Sequence, residues 1–214
     1  MAKTLYSLML SEDVVREVDK LAHRMGATRS GLINSILAEY VGFVTPEQRI
    51  NNILSEVERL LSPATDLVPF LAPGAMSLSL KSALEYKYRP TVKYEVQLYK
   101  GDSSAIGELN VVFRTQSAGL LAAMADFFRL WKRTEDAFLP PAGVHVDYAL
   151  YEGKFTRSIA LPTHNTDAET LANALSAYIR LFDSCMKGCL GGRYGEADVR
   201  AAYLSYLDEV GMYL

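Results

Sequence analysis

The sequence predicts an α+β protein in two parts. A short strand-helix-helix module comes first, and an antiparallel-sheet domain with helices on one face of the sheet follows. Three observations predict this. Residues 4–42 hold one alternating run and two runs at helical spacing, too little to close a core alone. Residues 78–115 and 144–161 change to a period of two, as half-buried strands do. Residues 166–210 return to the helical period, so helices follow the strands instead of alternating with each one. That order favours an antiparallel sheet over a parallel one.

In the first run Tyr6, Leu8 and Leu10 share one side of a strand. Leu5, Ser7 and Met9 share the other, with Lys3 beside them. Ser11 can cap a helix whose first turn carries Glu12 and Asp13, suited to the positive end of the helix dipole. Val14, Val15, Val18, Leu21, Ala22 and Met25 recur at helical spacing, and Gly26 sits where a left-handed C-terminal cap would. Thr28-Arg29-Ser30 opens a second helix with its stripe at Leu32, Ile33, Ile36, Leu37, Tyr40 and Val41. A lone strand leaves its backbone donors and acceptors unpaired. The economical solution is an intertwined dimer, with two strands paired antiparallel and four helices over their apolar side.

This order of elements resembles the ribbon-helix-helix family of DNA-binding proteins over roughly residues 3–42. The likeness rests on the strand ending in Leu10-Ser11-Glu12-Asp13, the helix end Leu21-Ala22-His23-Arg24-Met25-Gly26, and Thr28-Arg29-Ser30-Gly31-Leu32-Ile33. The resemblance implies that the paired strands enter the major groove of duplex DNA, with Leu5, Ser7, Met9 and Lys3 toward the bases. It also implies that Thr28, Arg29 and Ser30 clamp a phosphate at the start of the second helix. The expected function is a sequence-specific DNA-binding regulator, a transcriptional repressor or a plasmid or phage regulator, working as a homodimer or higher homo-oligomer.

Two features depart from that family. Leu5 and Met9 carry no donor or acceptor and can meet only a thymine methyl or another apolar surface. Within residues 1–40, Lys3, Arg16, Lys20, Arg24 and Arg29 are balanced by Glu12, Asp13, Glu17, Asp19 and Glu39, so counterion release is confined to local contacts. The alternative reading is therefore a non-enzymatic interaction or dimerisation protein whose apolar ribbon, through Leu5 and Met9, docks a protein partner.

The organisation expected is a module over 1–43, an amphipathic helix and apolar linker over 44–77, and an α+β domain over 78–214. Thr45-Pro46-Glu47-Gln48 forms a capping box with proline at the first helical position, ahead of a stripe at Ile50, Ile53, Leu54, Val57, Leu60 and Leu61. That helix can pack on its symmetry mate or on the C-terminal domain. Residues 64–77, broken by Pro69 and Pro73-Gly74, read as a packed linker. Leu84, Tyr86 and Tyr88 alternate before Arg89-Pro90. Val92, Tyr94, Val96 and Leu98 form the cleanest strand, and Gly101-Asp102-Ser103-Ser104 turns into a third over 106–113.

A helix with Leu120, Leu121, Met124, Phe127, Phe128 and Trp131 on its apolar side ends at Pro140-Pro141. A hairpin turns at Glu152-Gly153, joining Val144, Val146, Tyr148 and Leu150 to Phe155, Ile159 and Leu161. Thr166-Asp167-Ala168-Glu169 opens a long helix that fades at Gly188 and Gly191-Gly192, and a last helix covers 196–210. This domain is expected to oligomerise, or to receive a protein or small-molecule effector.

No catalytic set is assembled, and the chain is not expected to be an enzyme, to hold a metal or to need a cofactor. Cys185 and Cys189 stack on one helical face, but His23, His145 and His164 do not supply the remaining zinc ligands at a ligand spacing. The two thiols read as structural. Phe113-Arg114-Thr115-Gln116-Ser117 joins strand to helix, where an ordinary cap with a solvated arginine competes with an anion site. Thirteen tyrosines, several on strands, suit an amphipathic sheet or an interface. A net charge of −3 excludes a broadly basic nucleic-acid coat. With no leader-like N-terminus and no apolar window near eighteen residues, neither export nor a membrane span is expected, and a reducing cytoplasm is the natural home.

Overall fold

The computed structural model of the chain describes residues 4–63, 67–71, 76–84, 90–100, 105–151, 153–162 and 166–214. It is α+β: three helices, then an open six-stranded antiparallel sheet that carries three more. Helix α1 spans Glu12–Arg24 and α2 spans Arg29–Tyr40. Helix α3, Pro46–Leu61, starts at the expected capping box: the Thr45 hydroxyl accepts from the Gln48 amide at 3.1 Å, and the Gln48 carboxamide accepts from the Thr45 amide at 2.8 Å.

The strands are β1 (Leu67–Leu71), β2 (Ser77–Ala83), β3 (Thr91–Leu98), β4 (Ala105–Phe113), β5 (Tyr148–Tyr151) and β6 (Lys154–Ala160), ordered β1-β2-β3-β4-β6-β5. Helix α4 (Ala118–Phe138) crosses from β4 to the β5–β6 hairpin, and α5 (Ala168–Leu190) and α6 (Glu196–Val210) follow. Alternation fixes which side is buried. Leu78 and Leu80 of β2, Val92, Tyr94 and Val96 of β3, Leu109 and Val111 of β4, and Phe155 and Ile159 of β6 all face one core. Into it go Leu54 and Val57 of α3, Phe127 and Trp131 of α4, Phe182 of α5 and Tyr203 of α6.

Several elements differ from expectation for identifiable reasons. Residues 67–71, expected within a linker, form the edge strand β1. Pro69 is tolerated there because an outer strand need not donate to a ladder on its free side. Leu84 lies just past β2, and Tyr86, Tyr88, Arg89, the Gly101–Ser104 loop and Glu152 fall outside the described residues. The long helix takes its cap from Asp167, which accepts from the Thr170 amide at 2.7 Å, one residue later than the capping-box pattern placed it. Gly188 lies inside α5, where a Cβ would meet the Tyr194 ring at 2.4 Å. It admits that ring rather than stopping the helix. Gly107 serves a similar purpose at the β4 irregularity: a Cβ there would stand 2.2 Å from the Gln97 carbonyl oxygen.

Candidate nucleic-acid interface

Residues 4–10, expected as a strand, form none and pair with no strand among the described residues, and all are exposed. Leu5 and Met9 are 95% and 102% exposed, and Tyr6 and Leu8, on the other side of the run, 81% and 62%. Ser11 has extended backbone dihedrals before α1 begins. Helices α1 and α2 pack on one another through Ala22, Leu32 and Ala38, yet leave Val14, Met25, Ile36, Leu37, Tyr40 and Val41 exposed. Lys3 lies outside the described residues.

The three expected clamp residues sit together at the start of α2. Thr28 is its N-cap, its hydroxyl accepting from the Gly31 amide at 3.2 Å. Ser30 is exposed in the first turn. Arg29 is not free: its guanidinium makes a two-pronged pair with Asp19 of α1. The hydrogen bond from Arg29 is the main reason the Asp19 carboxyl is held below its usual range. A phosphate at this helix end meets Thr28 and the amides of the first turn directly, and gains Arg29 only by displacing Asp19.

The C-terminal domain keeps its strongest polar chemistry inside. Glu135 on α4 and Arg157 on β6 are both enclosed, the Arg157 Nε lying 3.0 and 3.1 Å from the two carboxylate oxygens. Glu135 also accepts from Tyr148 at 2.7 Å, Tyr178 at 2.9 Å and Tyr203 at 3.3 Å, while Trp131 donates to Tyr178 at 2.8 Å. Arg157 donates in addition to the carbonyls of Ser158 and Leu214, and its guanidinium lies 4.6 Å from the Tyr178 ring centre. Burial is the largest single influence on Arg157 and acts to lower it, but the Glu135 charge and hydrogen bond, together with Tyr178 and Tyr148, raise it on balance and keep the guanidinium charged. Burial first, and the Glu135 charge second, push the Tyr148 and Tyr203 hydroxyls up. The cluster ties β5, β6, α4, α5 and α6 at one point, with both charged members enclosed. Sequence spacing carried its signal: Glu135 is four residues after Trp131 on the apolar side of α4, and Arg157 lies between Phe155 and Ile159 on the core side of β6.

A second enclosed pair links sheet and helix, Tyr94 donating to Asp183 at 2.7 Å beside Lys187 at 2.7 Å. Burial pushes the Cys185 thiol up to about 12 and raises Cys189, with Asp198 adding to the latter. Neither thiol is a ready nucleophile or ligand at neutral pH. His145 and Asp147 are exposed, and His164 lies outside the described residues. Among the described residues no three His, Cys, Asp or Glu side chains gather around a metal position, and no helix is long and apolar enough to cross a membrane. Comparison with family models, curated proteins and solved structures finds no match to this chain.

Proposed function

We propose that residues 4–42 form a ribbon-helix-helix dimer that binds duplex DNA, making the protein a DNA-binding regulator of the repressor type. The C-terminal domain would then add oligomerisation or partner and effector contacts. One observation carries the reading: an alternating run with Tyr6 and Leu8 uncovered sits directly before two helices whose apolar residues are also uncovered. Paired with its copy, that surface becomes the floor of a four-helix module. The outward side would then present Leu5, Ser7 and Met9 to the groove, and the start of α2 to a phosphate.

The exposure of Leu5 and Met9 supports the second reading, a protein partner docked on the ribbon. The double variant Leu5→Lys, Met9→Arg separates the two. On the DNA reading, wild-type protein shifts duplexes at low salt, and the variant, adding four cations per dimer, binds arbitrary duplexes more tightly, with a salt slope steeper by up to about four units. On the docking reading, wild-type protein shifts no duplex and the variant loses a protein complex.

A further inference from the structure

The register of the sheet gathers basic side chains that the sequence scatters. Across the face turned away from the core, one row runs Val68, Lys81, Lys93, Val112, Lys154, Tyr151, each directly opposite the next on its neighbouring strand. Lys81 therefore stands opposite Lys93 with about 5 Å between their strands, an arrangement that costs stability because like charges meet. Lys154 is two strands further, about 10 Å along the row. Arg114, exposed, follows β4 at the same end of the sheet. Of these four cations only Lys93 has a carboxylate partner among the described residues, Glu95 on its own strand. The other acids of this face lie in a later row or beyond it: Glu108 accepts from Asn110 at 2.7 Å, and Asp147 bonds through its backbone to Ser158. Tyr151, 63% exposed, closes the row at the outer strand β5.

We propose that this row binds single-stranded nucleic acid running across the strands, with phosphates on Lys81, Lys93, Lys154 and Arg114 and an unpaired base on Tyr151. The charges call for a polyanion, and the separation of basic and acidic rows sets its direction perpendicular to the strands. An exposed aromatic at the end of a cationic row is useful to an unpaired base and has nothing to stack on in a closed duplex. Val112, half-buried between Lys93 and Lys154, gives a second base an apolar floor. A second copy packed face to face fits poorly. It would bury Lys81 and Lys154, which have no carboxylate partner among the described residues, on a sheet face lacking the apolar rows a sandwich requires. The proposal does not depend on residues 4–42.

The test is fluorescence anisotropy of a labelled thymidine oligonucleotide with the full chain across a salt series. Wild-type protein binds, and the triple variant Lys81→Gln, Lys93→Gln, Lys154→Gln loses about two units of slope in log affinity against log salt, and at least about tenfold in affinity at low salt. Tyr151→Ala weakens binding about tenfold with the slope unchanged. Arg29→Ala leaves this binding as it was, so the ribbon reading and this one fail separately. Should the triple variant lose its circular dichroism spectrum, the single variant Lys81→Gln, at an exposed position, reads the same effect as about 0.7 of a slope unit. The proposal is overturned by absence of binding at low salt, or by a wild-type slope in the lysine variants. It is equally overturned if inorganic polyphosphate competes as well as the oligonucleotide while Tyr151→Ala has no effect, or if phosphatidylserine vesicles are bound in preference.

Discussion

Among residues 4–44 only Ala22, Leu32 and Ala38 are buried apolar side chains, while Tyr6, Leu8, Ile36, Leu37, Tyr40 and Phe43 stand exposed. From Ile50 onward the balance reverses: four helices and a six-stranded sheet share one core, and even a carboxylate and a guanidinium are enclosed within it. The difference is one of completeness. The second region encloses most of its large apolar side chains and its Glu135–Arg157 pair, with the Ser82 and Ser176 hydroxyls buried unpaired, whereas the first leaves most of its apolar side chains exposed. Function is therefore sought on the N-terminal surface and on the outward rows of the sheet, and stability in the interior.

The largest expected effect breaks the self-sufficient side of that comparison. Glu135→Gln leaves Arg157 charged, enclosed and without its counter-charge, and should cost about 3–5 kcal/mol in chemical denaturation. The double variant Glu135→Gln, Arg157→Met removes the orphaned charge and should recover much of the loss. If the single variant unfolds at the wild-type denaturant concentration, the pair is not what joins α4 to the hairpin.

Next comes the incomplete side. Leu8→Asp puts a carboxylate onto the floor of the proposed dimer and should weaken self-association by roughly 100-fold, or about 3 kcal/mol, by sedimentation. Near-ultraviolet dichroism of the C-terminal domain, where Trp131 reports, should not change. A variant with unaltered association would remove the dimer as the account of this surface.

These two sites were not equally legible. The capping box at Thr45, the stripe of α3 and the strand pair β3–β4 follow from local periodicity and capping, which a sequence displays directly. β1 was hidden because Pro63, Pro69 and Pro73 read as loop, and only its place at the sheet edge makes Pro69 acceptable. Periodicity aims both Glu135 and Arg157 at the core, yet nothing local pairs residues on different elements 22 positions apart. The lysine row is further from reach, since Lys81, Lys93 and Lys154 align only once two strand registers are known. The proposed ribbon is the reverse case: the alternating pattern of Tyr6, Leu8 and Leu10 is plain in the sequence, but residues 4–10 form no strand in the structure.

Alkaline titration sharpens the same contrast. Tyr203 is neutral in the fold and its hydroxyl is raised by burial, then by Glu135, while in the unfolded chain it ionises near pH 10. As pH climbs past about 10 the unfolded state sheds that proton and the folded state retains it, so stability falls by about 1.4 kcal/mol per pH unit for this group. Tyr203→Phe should cost about 1 kcal/mol at neutral pH and make the alkaline limb shallower by that slope. Parallel alkaline limbs in the two proteins would mean that Tyr203 ionises without unfolding.

The smallest effect concerns the one polar contact that closes the exposed module on itself. Arg29 is held by Asp19, and a phosphate at the head of α2 must compete with that carboxylate for the guanidinium. Both groups are solvated, so the pair itself contributes little to folding, and either can be altered without disturbing the helices. If the start of α2 is the clamp, Arg29→Ala should weaken binding to all duplexes alike and flatten the salt slope by about two units, one for each protomer of the dimer. Asp19→Asn should act in the opposite sense, freeing the guanidinium and raising affinity by a few fold without a change in sequence preference. The opposed signs matter more than the sizes, because a general loss of helix order would move both variants the same way. Equal affinity and slope in both variants and the wild type would place the phosphate contacts elsewhere on the protein.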